Sequence, residues 1–338
     1  MTDSPTRYER GDFQSDQEVR WCPGCGDYTI LATVQNLLAG LDVDKEKHVF
    51  ISGIGCAARF PYYVDTYGMH SIHGRAPAIA SGVATANPDL TVWIVTGDGD
   101  ALSIGGNHLI HTLRRNVNVK ILLFNNQIYG LTKGQYSPTS EVGKRTKTSP
   151  VGSIDNPFNP VSLALGAEAT FVARTIDMDR THSAAMIQAA YEHRGSAFVE
   201  IYQNCNVFND KAFIALTGRT EREANRIYLE PGEPVRFGAD GEHGVIIGSK
   251  GASIVRVADV GVEALHVHDP AEPEPAVAFA LSRLSSGPTG PTPIGIFRKV
   301  DRSSYGDLVQ QQLLDAQTAK GPGNLAELVT SAGTWDAG

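Results

Sequence analysis

The chain has 338 residues, 41% of them hydrophobic and 20% charged, with a formal net charge of −8. That length suits one large α/β domain or two smaller ones, and the composition argues against disorder. A mildly acidic chain disfavours nucleic acid, whose phosphates need a basic footprint, and no apolar run reaches the ~18 residues of a membrane span.

Residues 1–20 are polar and lack the apolar stretch of a secretory signal, so they read as an extended arm on a cytoplasmic protein. After WCPGCG, helical spacing of Ile30, Val34, Leu37, Leu38 and Leu41 predicts a helix. HVFISG (48–53) is a short apolar strand, and APAIASGVATANP (76–88) a helix of small residues stopped by Pro88. TVWIVTG (91–97) and NVKILLFNN (118–126) are near-continuous apolar strands, as a sheet buried on both faces requires, with the helix NHLIHTLRRN (107–116) between them. Residues 132–160 are rich in Gly, Pro, Ser and Thr without periodicity, and a loop of that length is usually functional. The alternation resumes with strand 170–175, helix 179–194 and strand 197–203. Strands alternating with helices predict right-handed crossovers and a doubly wound, mostly parallel α/β sheet. Beyond residue 225 the pattern weakens, through a Gly/Pro/Asp-rich stretch (230–244) and the run SSGPTGPTP (285–293). The expected division is an arm (1–20), an α/β domain (21–225) and an extension (226–338) packing on the core or on a partner.

Gly97-Asp98-Gly99 is followed by 25 residues and then Asn125-Asn126, each motif ending an apolar strand. Ligands of open α/β sheets bind at those strand ends. Asp98 can offer a carboxylate oxygen, Asn126 an amide oxygen and Ile128 its carbonyl, a hard-oxygen set that suits Mg2+ and leaves room for phosphate. Gly97 and Gly99 permit close approach of backbone to phosphate, and the following helix N-terminus favours the anion. A lone GDG is usually only a turn. With this spacing and the paired Asn it resembles the thiamine-diphosphate signature.

The four cysteines are Cys22, Cys25, Cys56 and Cys205. Four in so long a chain make no disulfide framework of the small secreted kind. Cys22 and Cys25 form a C-x-x-C at a helix start, whereas Cys56 and Cys205 are singletons just past strand ends, on the same edge as the GDG turn. Four thiolates can therefore converge there. C-x-x-C alone leaves zinc, a redox dithiol and an iron–sulfur cluster open, although structural zinc sites usually use two close pairs.

WCPGCGDY, GIGCAARF, SIHGRAPAIASGV, GDGDALSIGGNHLIH, NNQIYGLTKGQYSPTS and QNCN occur in that order over roughly residues 20–210. Together they resemble the β subunits of 2-oxoacid:ferredoxin oxidoreductases. The resemblance implies one 4Fe–4S cluster on Cys22, Cys25, Cys56 and Cys205, and Mg2+ at Asp98, Asn126 and the Ile128 carbonyl. It also implies thiamine-diphosphate contacts from Ile54, Gly55, Cys56, Ala57, His73, Gly99, Asp100, Gly130 and Leu131. Taken alone, a histidine such as His73 is more often a packing residue than a catalytic one; in HGRAP at a helix start it reads as a cofactor or substrate contact. The implied reaction is decarboxylation of a 2-oxoacid, with electrons leaving through the cluster to ferredoxin and the acyl group taken by coenzyme A. Only one complete α/β unit is evident, so the pyrimidine-binding domain is expected on an α subunit, in an αβ or α2β2 assembly.

Lys133 and Arg59 are the cations that could pair the distal carboxylate of 2-oxoglutarate, each otherwise a solvated charge. The sequence around Lys133 resembles the 2-oxoglutarate branch, giving succinyl-CoA. Pyruvate or a broad range of 2-oxoacids is the alternative, and a non-redox thiamine-diphosphate enzyme with a structural zinc is a second.

Overall fold

The computed structural model describes residues 8–41, 43–284 and 287–335. The helix α1 (Asp27–Gly40) precedes β1 (His48–Ser52), β2 (Tyr67–His70), α2 (Ala76–Ala86) and β3 (Thr91–Gly97). Then come α3 (Asp98–Leu102), α4 (Gly106–Arg114), β4 (Lys120–Asn125), α5 (Pro160–Gly166), β5 (Phe171–Ile176), α6 (Arg180–Glu192) and β6 (Ala197–Tyr202). The remaining strands are β7 (Arg226–Leu229), β8 (Arg236–Phe237), β9 (His243–Gly248), β10 (Gly251–Arg256) and β11 (Thr292–Lys299).

Eight strands form one sheet in the order β2-β1-β3-β4-β6-β5-β11-β7. Every neighbouring pair is parallel except β11 with β5. The chain winds outward in both directions from β1 and β3, so the crevice between their C-terminal ends is the switch point where open sheets take ligands. β4, β5 and β6 are buried at every position, which explains their continuous apolar runs. One face packs with α1, α6 and Phe13; the other packs with α2, α4, α5 and the helix Ala276–Ser282. Along α2, Ala76, Ala80 and Ala84 are its buried small residues, which lets the helix approach the sheet closely, and it ends at Ala86, just before Asn87-Pro88.

Three features differ from the sequence reading. The arm is not simply extended: Arg10–Phe13 is a 3-10 turn that inserts Phe13, fully buried, into the core, a burial that contributes about 1.5–3 kcal/mol. β2 was not anticipated. It is four residues long, exposed at every position, and forms one edge of the sheet, with Tyr67 and Met69 facing solvent. The segment after residue 225 is not an appendage, because β7 and β11 complete the main sheet; only β8, β9 and β10 form a separate antiparallel sheet. A boundary at 225 therefore cuts through one hydrogen-bonded unit. Farther on, the helix Tyr305–Lys320 leaves the opposite end of the sheet, its base held where Asn116 donates to the carbonyls of Arg302 and Ser303.

Candidate functional site

The ends of β1, β3, β4 and β6 bring the sequence motifs to one rim. Asp98, the first residue of α3, is 2% exposed, and burial pushes its carboxyl up to about 6 against the opposing pull of two hydroxyls. Those hydroxyls are Ser137 (2.5 Å) and Thr139 (2.6 Å), both reaching Asp98 Oδ2. A buried acid held this way gains most by meeting a cation. Asn126 Oδ1 accepts the Ile128 N–H at 3.2 Å, which shapes the turn carrying the Ile128 carbonyl. Asp98 lies on one loop and Asn126 and the Ile128 carbonyl on the next, the two joined by the Tyr129–Gly99 bond, and hard oxygens of this kind suit Mg2+ by their chemistry. A Cβ on Gly99 would stand 2.2 Å from the Tyr129 ring, whose hydroxyl donates to the Gly99 carbonyl at 3.0 Å, so only glycine fits there.

Asp100 is 2% exposed, and its carboxylate ties together the ends of β1 and β3 and the loop before α2. Oδ1 accepts from the Ile54 and Gly74 backbone at 3.1 and 2.7 Å, and Oδ2 from Thr96 at 2.8 Å. His73 Nδ1 stands 2.5 Å from Oδ1 without hydrogen-bond geometry, and its side chain is 40% exposed, so the ring has Asp100 on one side and open space on the other. A Cβ on Gly53 would meet Asp100 Oδ2 at 1.9 Å, where Thr96 holds that oxygen. Gly53→Ala is therefore expected to lower stability by about 2–3 kcal/mol. A thermal melt of the purified protein checks this; an unchanged midpoint would mean that Asp100 is free to move.

The cysteines meet on the neighbouring side. In the Cys22–Cys25 turn, Gly24 adopts a φ of +83°, and the Cys25 N–H returns to the Cys22 carbonyl. That turn is pinned to the Cys205 loop, since Gly26 donates to the Asn204 carbonyl at 3.1 Å and Asn206 to the Pro23 carbonyl at 2.7 Å. Trp21 donates to the Cys56 carbonyl at 2.7 Å. A Cβ on Gly130 would lie 3.5 Å from Cys56 Sγ and 3.7 Å from Cys205 Sγ. Cys22 is exposed and the other three half-buried. Burial, then the Asp27 carboxylate, raises the Cys25 thiol far above its ordinary range, and burial pushes Cys56 up to about 12. Such groups remain thiols unless a metal stabilises the thiolates. Cys56 and Cys205 thus share the space beside Gly130, and soft sulfurs suit a metal centre by their chemistry. Among the described residues, however, no three His, Cys, Asp or Glu are gathered closely enough to hold a single ion.

Gln203, at the end of β6, joins the two halves of the site. It accepts from Asn126 Nδ2 at 2.9 Å and donates to Cys25 Sγ at 3.3 Å. Gly55, with a φ of +122°, leads into Cys56 with open space around it, whereas Ala57 packs into the core. Gly130 lies against the cysteines, and Leu131 is 45% exposed beside it. Lys133 is exposed and holds a φ of +74°, a conformation a side chain adopts only under constraint. Arg59 turns toward the arm, donating to the Arg20 carbonyl at 3.3 Å, so it flanks the cysteines.

Sequence reasoning missed Ser137, Thr139, Gln203 and Asp27. The hydroxyl-rich YSPTS could have pointed to the first two. Asp27 is 1% exposed beside Cys25, and burial pushes it up to about 7. A cavity of about 610 Å³ opens behind the Asp98 loop, with Asn125, Thr139, Lys144, Arg174, Glu200 and Arg283 among its walls.

Residues 53–201 match the model of the thiamine pyrophosphate enzyme C-terminal TPP-binding domain. The chain is 57% identical over 336 residues to the 2-oxoglutarate oxidoreductase subunit KorB of Mycobacterium tuberculosis, covering 99% of this chain and 89% of that protein. It is 44% identical to the β subunit of the 2-oxoacid:ferredoxin oxidoreductase 1 of Aeropyrum pernix, over 56% of this chain and 60% of that one. Among solved structures, a chain of the 2-oxoglutarate:ferredoxin oxidoreductase from Magnetococcus marinus, with 2-oxoglutarate, coenzyme A and succinyl-CoA bound, superimposes with a TM-score of 0.76. That match has 33% identity and covers 98% of this chain and 97% of that one. With the site's geometry and relatives of this extent, the chain belongs to the β subunits of the 2-oxoacid:ferredoxin oxidoreductases, a family of thiamine-diphosphate enzymes.

Proposed function

We propose that the chain acts in a 2-oxoglutarate:ferredoxin oxidoreductase, converting 2-oxoglutarate and coenzyme A to succinyl-CoA and CO2, or the reverse, with electrons exchanged with ferredoxin. The observation that supports this reading is the Asn126–Gln203–Cys25 connection, in which one side chain bonds to a residue of the proposed Mg2+ turn and to one of the four cysteines. In this reading Asp98, Asn126 and the Ile128 carbonyl hold Mg2+, and the glycine-lined ends of β1 and β3 receive the diphosphate. Cys22, Cys25, Cys56 and Cys205 hold a 4Fe–4S cluster. When bound, thiamine diphosphate supplies a carbanion equivalent at the keto carbon, and a cysteine-ligated cluster accepts electrons one at a time.

His73, with Asp100 on one side, presents its free edge to the reacting end of the site. The α subunit supplies the pyrimidine-binding half across the exposed rim next to β2. Lys133 lies in the loop that follows the Mg2+ turn, and its ammonium serves the distal carboxylate. Similarity to a protein named a 2-oxoglutarate oxidoreductase subunit and to an enzyme with 2-oxoglutarate bound supports 2-oxoglutarate as the substrate. Lys133→Met should lower kcat/KM for 2-oxoglutarate about 10–100-fold, the size of a lost charge-assisted contact, and change the smaller rate with pyruvate far less. Steady-state reduction of a viologen dye by the αβ complex measures both. A parental preference for pyruvate would overturn the substrate assignment, and equal losses on both substrates would remove the role given to Lys133.

A further inference from the structure

Asn125, the first of the paired asparagines, is not among the proposed cation ligands, yet it is 1% exposed and fully hydrogen-bonded. Its Nδ2 donates to Glu200 Oε1 at 2.7 Å. Its Oδ1 accepts the Gln127 N–H at 3.1 Å and faces the Thr139 hydroxyl at 2.9 Å. Glu200 is itself wholly buried, and its other oxygen accepts Arg174 Nε at 2.6 Å. Arg174, paired with Glu200 across β5 and β6, is enclosed by the Tyr202 and Phe297 rings.

The polarity of this chain of bonds is forced. A guanidinium only donates and a carboxylate only accepts. Glu200 must therefore receive a proton donor from each side, which compels Asn125 to point its NH2 at Glu200 and its oxygen at Gln127 and Thr139. That orientation matters locally. Gln127 has a φ of +56°, unfavourable for a residue with a side chain, and its N–H bond to Asn125 Oδ1 holds it there. Gln127 separates Asn126 from Ile128, so the turn offering both oxygens is set from underneath. Thr139, which touches Asn125 Oδ1, also reaches Asp98 Oδ2 at 2.6 Å. A buried ion pair is poor value as a source of stability, because its desolvation cost rivals its attraction, and apolar pairs often replace it without loss. Its defined polarity is what an apolar pair cannot supply.

We propose that Glu200 is a positioning residue: held between Arg174 and Asn125, it fixes the Asn125 amide and, through it, the 125–128 turn and Thr139 that shape the cation site. The inference rests on the Mg2+ reading above.

The test uses the αβ complex without substrate. Thiamine-diphosphate binding is followed by protein fluorescence as Mg2+ is titrated, and each variant is also melted. In Arg174→Met/Glu200→Gln, the glutamine is released from the guanidinium and can turn its oxygen to Asn125; the half-saturating Mg2+ stays within about twofold of the parent. In Arg174→Met/Glu200→Leu, no acceptor remains, and the half-saturating Mg2+ rises about fivefold, the size of one lost hydrogen bond. The two variants lack the same charges, so the charge change is common to both, and the leucine variant should melt lower because Asn125 Nδ2 is left unpaired. Glu200→Gln alone should also bind Mg2+ more weakly, because Arg174 then claims the glutamine oxygen and Asn125 must turn over. If the Gln and Leu double variants need the same Mg2+, Glu200 is a structural residue only and the proposal fails. If the parent binds thiamine diphosphate without regard to Mg2+, the metal reading fails first, and the proposal with it.

Discussion

Asp98→Asn should leave the αβ complex without retained thiamine diphosphate and lower turnover by on the order of 10³-fold, since a cation's contribution to such a site is several kcal/mol. The same change should make the cofactor-free protein more stable at neutral pH. Burial raises the Asp98 carboxyl from 3.8 to about 6. The folded state therefore holds this proton more tightly than the unfolded state. Stability from this group is full below about pH 4, falls as the pH climbs to about 6, and stays low above it. The shift is worth up to about 3 kcal/mol at pH 7.5, an amount the ionised carboxylate costs the empty fold. Asparagine carries no charge, and it can still accept from Ser137 and Thr139. Denaturation of cofactor-free parent and variant at several pH values should show a gap that is widest near pH 7.5 and closes toward pH 4. A variant that keeps the cofactor at the parental Mg2+ requirement would show that Asp98 is not the ligand. In the proposed Mg2+ role this residue trades stability for binding, the usual arrangement where function sets the charge.

Cys25→Ser should remove the second cofactor. Anaerobically purified parent is expected to be brown, with broad absorption near about 400 nm and about four iron and four sulfide per chain. The serine variant should be pale, hold less than about one iron, and reduce ferredoxin or a viologen dye on the order of 10³-fold more slowly. Thiamine-diphosphate binding should survive in weakened form, because Gln203 loses one of its partners while Asp98 keeps its own. Burial and the Asp27 charge hold Cys25 as a thiol, so loading the metal centre releases protons. Reconstitution from iron and sulfide should therefore proceed further at pH 8.5 than at pH 6.5. A colourless parent carrying stoichiometric zinc would reject the cluster outright.

Much of this was legible because the ligands follow simple rules of the strand. Buried parallel strands read as unbroken apolar runs, and the residues that follow them mark the ligand-binding rim, so Asp98, Asn126, Cys56 and Cys205 could be placed without coordinates. What escaped depended on contacts far apart in sequence. Thr139 meets Asp98 across 41 residues and lies in a loop without periodicity. Asp100 sits inside the glycine motif, but its bonds to residues 54, 74 and 96 depend on how the strand ends meet. The strand β2 is too short and too exposed to show an alternation. β11 reads clearly as a strand only once its partner β5, more than a hundred residues earlier, is known. Phe13 lies in a polar arm that composition alone would leave in solvent.

The bare edge at β2 bears on how the protein must be made. Along Tyr67–His70 one row of peptide groups has no strand beside it among the described residues, and the adjoining Tyr62 and Ile72 are exposed. Such a border invites any extended segment, including the same border of another molecule. Chains synthesised without their companion subunit should clump through this border, and making both subunits in the same cell is the remedy.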